Sequence, residues 1–365
     1  MKTDDIQRRL ASWFAGKLPD AHDVRIEGLD RLEFGHSAET LLFTICWHAH
    51  GADRRQDVVL RLRPPPPGLL EPYNLRRQFE ILRALEATPV RSPRALWLEG
   101  TGAVLGREFY VMERLAGTVY ERSVPHELEA DPQRIRRMSE SMVEQIAAIH
   151  TVDLRATGLD AIGDGRGYLD RELQHWAGEI RRVQRGPLPA LERLLKALRA
   201  LQPEQCPKIT LVHGDPKPGN FAFQSDRVSG VLDWEMATVG DPLADIGWAE
   251  ITWRMPSSFT ARPASLSADE LVARYEDLTG IGVRHRHWYR AFQGLKIAVI
   301  MLVGAMLFDD GFTDDLRMAE MGYGVHPFTR DALRDLGVDE ELDSGPVTAR
   351  EERIAAVRRR TSHQV

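Results

Sequence analysis

The segment Leu211–Phe223, "LVHGDPKPGNFAF", places a histidine, an aspartate, a lysine and an asparagine within eight residues, interrupted by two prolines and two glycines. Proline cannot donate a backbone hydrogen bond, and together with glycine it ends both helices and strands. The stretch "KITLV" before this segment and "FAF" at its end have the composition of strands. The polar side chains are therefore predicted to lie on a shaped loop between two strands.

A hairpin is predicted directly after this loop, because "FAF" and the following "VSGVLDW" are two short strand-like runs. A turn centred on residues 226 and 227 sets Asn220 opposite Asp233, and directly opposed residues have Cβ atoms about 4.5 to 5.5 Å apart. An amide oxygen beside a carboxylate suits Mg²⁺, which prefers hard oxygen ligands. Asp215, on the loop upstream, is a separate carboxylate that can accept a proton from a hydroxyl nucleophile. A metal ion held by two oxygen ligands, with a separate carboxylate base nearby, is the arrangement that phosphoryl transfer needs.

The composition of the whole chain is that of a globular protein with small-molecule partners. Its 365 residues are 43% hydrophobic and 28% charged, and the formal net charge is -6. Acidic and basic residues are mixed, so no broad cationic field is offered to nucleic acid or to a membrane surface, and we expect neither as a partner. Cys46 and Cys206 are far apart and match neither a disulfide framework nor a zinc site.

The sequence shows no targeting or membrane-spanning pattern. Its N-terminus has early acids and no long apolar core, which argues against a secretory signal. The longest apolar run, Ile297–Phe308, is about half as long as a bilayer requires and predicts a buried helix. We expect a cytoplasmic protein that is a monomer or a homodimer.

Two lobes are expected from the change of pattern along the chain. Short β-branched segments up to residue 63 predict an antiparallel sheet, and "NLRRQFEILRALEAT" predicts a helix with its apolar face between Leu75 and Leu85. After "YVMERLAG", helical patterns dominate to residue 310. We therefore predict an α+β fold with a nucleotide-binding lobe over 1–115, a mainly helical catalytic lobe carrying the hairpin over 116–345, and a charged helix or tail over 346–365.

A family resemblance rests on the central motif. "HGDPKPGN", His213–Asn220, followed thirteen residues later by Asp233 in "VLDWEMATVGDPLADIGW", resembles the catalytic and metal-binding segments of the aminoglycoside phosphotransferase family. Protein kinases share the Asp-to-Asn spacing, but Gly214 in place of arginine and "DWE" in place of D-F-G favour the small-molecule branch. The resemblance extends, more weakly, from about Val24 to Phe308. It implies a two-lobed, protein-kinase-like fold and an ATP-dependent phosphotransferase with a hydroxyl acceptor.

The resemblance also implies a role for each residue of the central motif. Asp215 would be the catalytic base, and Asn220 and Asp233 would bind Mg²⁺. His213 would shape the loop rather than titrate. Lys217 matches a lysine that approaches the transferring phosphate in many serine/threonine kinases, although small-molecule members often differ at this position.

A nucleotide site is implied in the first lobe. "FGHSAET" resembles the nucleotide-positioning loop, and "YVMERLAG" resembles the connection between the lobes, whose backbone groups bind the adenine. The implied positions are Gly35, Ser37 and Thr40 in the loop, and Glu113, Arg114 and Leu115 in the connection. ATP is the expected donor, and GTP is left open.

Two positions depart from the family pattern. The lysine expected on the third strand appears as Arg61 in "VVLRLRP", with Arg63 as the competing register, and the glutamate expected on the helix appears as Gln78. Arginine keeps the charge and adds a fork of donors that suits phosphate. We expect Arg61 to pair with Gln78.

Several other polar or aromatic residues have structural interpretations beside functional ones. Asp241 and Asp245 follow the metal segment, and we expect them to cap helices and brace loops rather than bind metal. The pairs His48/His50 and His285/His287 could suggest a metal site, but no third ligand lies nearby in the sequence, and ordinary surface or strand positions are expected. Core packing is the default for the tryptophans that could line an acceptor pocket, which are Trp176, Trp248 and Trp253.

The acceptor is expected to bind between the catalytic loop and the helical residues of roughly 151–207 and 250–310. A cationic acceptor such as an aminoglycoside needs clustered acids, for which "DDGFTDD", Asp309–Asp315, is the best candidate, although a solvated loop explains this stretch equally well. An apolar acceptor or one with a carboxylate stays open. The alternative functions are a nucleotide-binding pseudokinase or regulatory protein with little transfer activity, and metal-dependent hydrolysis, which lacks its usual histidine ligands here.

Overall fold

The computed structural model describes residues 3–32, 39–121, 123–338, 350, 353–354 and 357–358. Two compact units are present. The first comprises Met1–Thr118 and Ala222–Glu235, and the second comprises Val119–Phe221 and Met236–Val365.

The first unit is built on a five-stranded antiparallel sheet of order β1-β2-β3-β5-β4. Its elements in chain order are α1 (Thr3–Ala15), β1 (His22–Leu32), β2 (Glu39–Ala49), β3 (Ala52–Leu62), α2 (Leu75–Leu85), β4 (Ala95–Glu99) and β5 (Phe109–Glu113). The predicted antiparallel sheet and the helix after its third strand are thus confirmed.

A two-residue turn sets the register of β2 and β3. Ala49 pairs with Ala52, and the turn residues between them, His50 and Gly51, have φ angles of 53° and 74°. Positive φ at both positions is the geometry of the tight turn that matches the twist of two antiparallel strands. The pairing continues without a shift from Ala49 to Glu39, and the alternate residues Leu41, Phe43 and Ile45 of β2 are all buried.

Helix α1 covers one face of this sheet and was not anticipated from the sequence. Its Phe14 is completely buried and lies 6.0 Å from Phe43 of β2 and 5.3 Å from Trp97 of β4, measured between ring centres. Aromatic pairs at such separations add to the free energy of burial. The N-terminal segment therefore forms part of the hydrophobic core of the first unit.

The chain enters the second unit at Val119, within the short strand β6 (Thr118–Val119). The following elements are α3 (His126–Glu129), α4 (Pro132–His150), α5 (Tyr168–Val183), α6 (Pro189–Ala200) and β7 (Thr210–Val212). Asp131 caps α4, since its side chain accepts a hydrogen bond from the Arg134 N–H, and Pro132 occupies the first turn of that helix, where its missing N–H is tolerated.

A hairpin is formed, as predicted, by β8 (Phe221–Gln224) and β9 (Arg227–Val231), which lie in one small sheet with β6. Its turn lies at residues 225 and 226, however, one residue before the predicted centre at 226 and 227. The sequence places this hairpin in the catalytic lobe, whereas its segment groups with the first unit. Two hydrogen bonds between Arg91 of the first unit and strand β9 explain the difference. The Arg91 guanidinium donates to the Val228 carbonyl at 3.0 Å, and the Val231 N–H donates to the Arg91 carbonyl at 2.6 Å.

The rest of the second unit is mainly helical, as predicted. Its elements are β10 (Thr238–Gly240), α7 (Leu243–Trp253), α8 (Ala268–Thr279), α9 (Arg286–Asp309) and α10 (Leu316–Asp335). Strand β10 pairs with β7. Among the described residues, α9 is the one helix long and apolar enough to cross a membrane, and 89% of its most apolar window is buried inside the protein. The prediction of a buried helix over Ile297–Phe308 is confirmed.

Candidate active site

The loop that carries the predicted catalytic residues begins at the end of β7 with a buried histidine and a constrained glycine. His213 is completely buried, and its ring Nδ1 accepts a hydrogen bond from the Asp215 N–H at 3.2 Å. Gly214 has φ 85°, and a Cβ atom there would lie 2.6 Å from the Met236 carbonyl oxygen. Only glycine fits this position without moving backbone. The His213 contact agrees with its predicted role in shaping the loop.

Asp245, near the start of α7, holds the backbone of this loop. Its carboxylate accepts from the His213 N–H at 2.7 Å and from the Gly214 N–H at 2.8 Å, and it lies 3.1 Å from His150 Nε2. Burial would raise the pKa of Asp245, but hydrogen bonding to His150 and the loop amides outweighs burial and lowers that pKa below its ordinary value. The predicted bracing role of Asp245 is confirmed.

Asp241 also has the structural role expected of it. Its carboxylate accepts from the Leu243 N–H at 2.9 Å at the start of α7, from the Cys206 N–H at 3.0 Å, and from the Tyr289 hydroxyl at 2.7 Å. Burial raises the pKa of Asp241. This carboxylate ties three segments of the second unit together.

Asn220 clamps Asp215 at the other end of the loop. Its side-chain nitrogen donates to the Asp215 carbonyl oxygen at 2.8 Å and to Asp215 Oδ2 at 2.9 Å. Both residues are shielded, since Asn220 is buried and the Asp215 side chain is 14% exposed. Because the nitrogen end of the amide faces Asp215, the oxygen end of Asn220 is the atom that can meet a cation. The structure thus brings the predicted base and one predicted metal ligand together.

Lys217 lies beside the predicted base and is within ion-pair distance of it and of Glu121. Its ammonium is 3.7 Å from Asp215 Oδ2 and 3.4 Å from Glu121 Oε1, and its side chain is 32% exposed. The Lys217 N–H donates to the Asp215 carbonyl at 2.9 Å, which closes the turn through Pro216. A half-exposed ammonium next to the base is suitably placed to meet an incoming anion.

In the first unit, Arg61 contacts Asp233 rather than Gln78. Its Nη2 atom is 2.8 Å from Asp233 Oδ1 and 3.4 Å from Glu235 Oε2, and Nη1 donates to the Thr40 hydroxyl at 3.3 Å. The predicted pairing of Arg61 with Gln78 is therefore wrong. A buried guanidinium gains more from a carboxylate than from a neutral amide, because the charge of each group offsets the desolvation of the other.

Gln78 is buried on α2 and has a different partner. Its Oε1 atom accepts a hydrogen bond from the Tyr110 hydroxyl at 3.2 Å, and Tyr110 pairs directly with Arg61 across β3 and β5. Burial raises the pKa of Tyr110 well above its ordinary value, so this hydroxyl is a donor at neutral pH. Gln78 therefore orients Tyr110 instead of the guanidinium.

Asp233 projects from a constrained turn after β9. Its φ angle is 64°, in the left-handed region, where aspartate is tolerated better than most residues. The Trp234 indole N–H donates to the Val231 carbonyl at 3.0 Å and fixes the turn. For Arg61, burial would lower the pKa, but the Asp233 carboxylate outweighs burial and raises it. Arg63 is the alternative position for this arginine. Its side chain is 38% exposed, and its Nη1 atom lies 3.9 Å from Glu108 Oε2, so Arg61 is the arginine that faces inward from β3.

The implied nucleotide-positioning residues are only partly described. Gly35 and Ser37 lie outside the described residues, whereas Thr40 is buried on β2 and contacts Arg61. In the connection after β5, the Glu113 N–H donates to the Arg94 carbonyl at 2.9 Å and the Arg114 N–H to the Asp57 carbonyl at 3.4 Å.

Asn220, in the second unit, and Asp233, in the first, each carry an oxygen donor of the kind that Mg²⁺ prefers. Asn220 presents its amide oxygen because its nitrogen is engaged by Asp215, whereas the Asp233 carboxylate is paired with Arg61 and has to be released from that pair to bind a metal ion. Few protein ligands suffice, because Mg²⁺ keeps several waters and phosphate oxygens. Within the described ranges, no group of three or more His, Cys, Asp or Glu side chains is placed to hold a metal ion.

The acidic stretch Asp309–Asp315 differs from what a cationic acceptor needs. Each of its four aspartates has an arginine partner within 2.9 Å. The pairs are Asp309 with Arg350, Asp310 with Arg185, Asp314 with Arg353, and Asp315 with Arg317. The negative charge of this stretch is thus neutralised by the protein itself, and the stretch no longer supports a binding site for a polycation.

The tryptophans are buried, as core packing predicts, but two of them surround a charge that the sequence did not reveal. Trp253 donates its indole N–H to the Leu266 carbonyl at 2.7 Å. Trp176 and Trp248 both lie near the ammonium of Lys296, which donates to the Gly214 carbonyl. No local pattern marks Lys296, since it is one polar residue within a long apolar helix.

Three features together define a class of protein, the phosphotransferases of protein-kinase-like fold. They are the sheet with its helix, the mainly helical second unit, and the loop that joins Asp215 to Asn220. The model of the phosphotransferase enzyme family that includes the aminoglycoside phosphotransferases matches residues 43–292. The chain belongs to this family.

Solved structures with low sequence identity share the fold. A proposed aminoglycoside phosphotransferase from Ralstonia eutropha has 24% identity and a TM-score of 0.72, covering 90% of this chain and 98% of that one. A thermostable mutant of aminoglycoside phosphotransferase APH(4)-Ia, in a ternary complex with ADP and hygromycin B, has 17% identity and a TM-score of 0.55, covering 88% and 98%. A choline/ethanolamine kinase family protein from Mesorhizobium loti has 20% identity and a TM-score of 0.55, covering 98% and 100%.

Curated relatives are considerably longer than this chain. Acyl-CoA dehydrogenase family member 10 of Mus musculus is 34% identical over 236 residues, which are 63% of this chain and 21% of that protein. Acyl-CoA dehydrogenase family member 11 of Mus musculus is 32% identical over 259 residues, which are 67% and 33%. The chain therefore spans between a fifth and a third of the length of these relatives.

Proposed function

We propose that this protein transfers the γ-phosphoryl group of ATP or GTP to a hydroxyl group of a small molecule, with Asp215 as the base and Mg²⁺ bound by Asn220 and Asp233. Membership of the phosphotransferase family supports the reaction class. The ADP complex of the APH(4)-Ia relative supports a nucleotide as the donor.

The observation that carries the proposal is the clamp of Asn220 on Asp215. The two bonds from the Asn220 amide, 2.8 Å and 2.9 Å long, fix both the backbone and the carboxylate of Asp215. A general base must be held in position because its contribution depends on hydrogen-bond geometry to the attacking hydroxyl. The same clamp engages the nitrogen of the Asn220 amide and so leaves its oxygen as the atom that would bind a cation.

A bound Mg²⁺ would neutralise charge on the phosphate oxygens. Arg61 would bind the same phosphates, because its planar fork of donors matches phosphate oxygens. Thr40 and Asp233 hold this guanidinium in place before the nucleotide binds. Lys217, beside Asp215, would stabilise the transferring group.

The purine base would bind at Leu115. Of the three amides in the connection after β5, those of Glu113 and Arg114 donate to Arg94 and Asp57. In the part of the chain that the structure describes, the Leu115 N–H makes no such bond, so it is the amide left to donate to the base.

The test is ADP release against a panel of hydroxylated compounds. Loss of a general base typically lowers the rate by about 10² to 10⁴-fold, so Asp215→Ala should lose turnover to this extent while ATP affinity changes little. Asp277→Asn, at an exposed position of α8, is the matched control and should behave as wild type. Turnover by Asp215→Ala equal to that of wild type would refute the assignment of the base.

The metal ligands need a separate test. Asp233→Ala should remove the Mg²⁺ dependence of nucleotide binding, measured by calorimetry with and without the metal. If Asp233→Ala binds the nucleotide with unchanged Mg²⁺ dependence, Asp233 is not a ligand.

The acceptor panel should reach beyond aminoglycosides. Because the four aspartates between residues 309 and 315 are paired with arginines, nothing in that stretch selects a polycation. Neutral and carboxylate-bearing alcohols therefore belong in the panel beside cationic ones.

A nucleotide-binding regulator with little transfer activity is the second candidate. The ion pair between Arg61 and Asp233 favours it, because Asp233 must be available before it can bind a metal. ATP binding without turnover of any acceptor above the level of Asp215→Ala would support this candidate.

A further inference from the structure

Lys296 is a buried lysine of α9 whose ammonium reaches the candidate catalytic loop. The residue is 3% exposed, and its Nζ atom donates to the Gly214 carbonyl oxygen at 3.1 Å. The same atom lies 5.1 Å from the ring centre of Trp248 and 5.8 Å from that of Trp176. Both distances are within the roughly 6 Å at which an aromatic face attracts a cation. The ammonium is therefore stabilised by one carbonyl and two indole rings.

The peptide group between Gly214 and Asp215 is consequently anchored at both of its polar atoms. Its carbonyl oxygen accepts from Lys296, and its N–H donates to His213 Nδ1 at 3.2 Å. The preceding N–H, that of Gly214, donates to Asp245. Because a peptide group is planar, it cannot rotate without breaking one of these bonds, and the Cα atom of Asp215 is attached to this plane.

A lysine at this position is unusual for the chain. Only six of its 48 basic residues are lysines, and of those that the structure describes Lys296 alone is buried. A compact ammonium needs fewer partners than the five donors of a guanidinium. Among the described residues Lys296 forms no ion pair, and a buried charge without a carboxylate is costly for stability. Stability alone therefore gives a poor reason for this residue.

We propose that Lys296 is a positioning residue for catalysis, which holds the Gly214 carbonyl and so directs the Asp215 carboxylate toward the acceptor hydroxyl. The inference rests on the proposed function, because it takes Asp215 as the base. Without the ammonium, the Gly214 carbonyl is free to turn, and the base loses its alignment while the nucleotide site in the first unit is unchanged.

The first experiment compares Lys296→Met, which keeps most of the side-chain volume, with Lys208→Met at an exposed position. A misplacement of about 1 Å in a catalytic group costs on the order of 10²-fold in rate, so kcat of Lys296→Met should fall by about that factor. The KM for ATP should stay within about twofold, because only the alignment of the base changes. A kcat within twofold of wild type, or a parallel rise in the KM for ATP, would overturn the proposal.

Chemical rescue separates positioning from packing. Lys296→Ala leaves space for a small amine, and added propylammonium should raise the kcat of this variant at least tenfold. Tetramethylammonium carries the same charge and has no N–H to donate to Gly214, so it should restore little. Equal rescue by both cations, or rescue by neither, would contradict a hydrogen bond from Lys296 as the cause.

Two measurements without any acceptor keep this inference distinct from the proposed function. If wild type transfers no phosphoryl group, the proposed function fails. The hydrogen bond by which Lys296 anchors the Gly214 carbonyl is then tested by backbone hydrogen exchange. Lys296→Met should accelerate exchange at Gly214 and Asp215, and unchanged exchange would refute the anchor. Should the variants not fold, the ammonium protons of Lys296 in wild type should exchange slowly by ¹⁵N NMR, and rapid exchange would overturn the inference.

Discussion

Replacing Asp245 with asparagine tests whether one buried carboxylate stabilises the candidate catalytic loop. The substitution keeps the shape of the side chain and removes its charge and one of its two acceptor oxygens. In the structure those oxygens accept from the His213 and Gly214 N–H groups at 2.7 Å and 2.8 Å, and one of them lies 3.1 Å from His150. The asparagine can accept only with its single oxygen, so at least one backbone N–H is left unpaired.

The expected loss of stability is large. A hydrogen bond to a charged group contributes about 1.5 to 3 kcal/mol, and removing one partner from a buried charged network costs about 3 to 5 kcal/mol. We therefore expect Asp245→Asn to lower the free energy of unfolding by about 3 to 5 kcal/mol, a substantial part of the roughly 5 to 15 kcal/mol of an ordinary protein.

Urea unfolding, followed by tryptophan fluorescence and by circular dichroism, measures this loss. Asp277→Asn, an exposed aspartate of the same unit, is the control and should change the free energy of unfolding by no more than about 0.5 kcal/mol. A loss below about 1 kcal/mol for Asp245→Asn would refute the view that this carboxylate braces the loop.

The same carboxylate predicts a dependence of stability on pH. Because the folded protein lowers the pKa of Asp245, its contribution is present above the unfolded pKa, about 3.9 for aspartate, and is lost as the pH falls toward the folded value. Between about pH 5 and pH 3, wild type should therefore lose more stability than Asp245→Asn. Parallel stability curves for the two proteins would contradict this assignment.

Two further substitutions follow from the described contacts. Gly214→Ala should destabilise the protein by about 1 to 3 kcal/mol more than Gly158→Ala, because both glycines have positive φ but only the former approaches backbone, at Met236; equal unfolding midpoints would refute this reasoning. Arg61→Met should weaken ATP binding at least about tenfold by calorimetry, since it removes a charged phosphate donor, whereas Arg61→Lys should retain most of the affinity; equal affinities in the two variants would show that the charge at this position does not bind phosphate.

The features that the sequence predicted are those encoded locally. Proline and glycine in "HGDPKPGN" require a loop whatever surrounds it, and the short spacing from Asp215 to Asn220 brings the two side chains together, as the bond between them confirms. Helix α2 was predicted for the same reason, because its apolar residues recur at helical spacing.

Contacts between distant residues were not predictable in this way. Arg61 and Asp233 are 172 residues apart, so propensity and periodicity carry no information on their ion pair, and the pairing assumed for Gln78 followed a family pattern that this chain has changed. Lys296 and Gly214 are 82 residues apart, and the lysine interrupts an otherwise apolar helix. Such contacts are fixed by packing alone.

Helix α10 shows how tertiary packing overrides local preference. The segment contains Gly322, Gly324 and Pro327, residues that disfavour a helix interior, and no helix was predicted between residues 311 and 345. Gly322 and Gly324 let α10 approach α9 closely, since a Cβ on Gly322 would lie 3.2 Å from the Ala305 side chain of α9 and a Cβ on Gly324 would collide with Met301 of α9. Close contact along the two helices compensates for the poor intrinsic preference.

The buried helix α9 has a consequence for the fate of the newly made chain. Its apolar side chains are buried only after helices such as α7 and α10 have packed around it, so a newly synthesised or heat-denatured molecule exposes a long hydrophobic segment. An exposed segment of this kind is bound by chaperones, aggregates with other chains, or is cleaved by proteases. Recovery of active material should therefore depend on how quickly the C-terminal helices assemble as much as on the final stability of the fold.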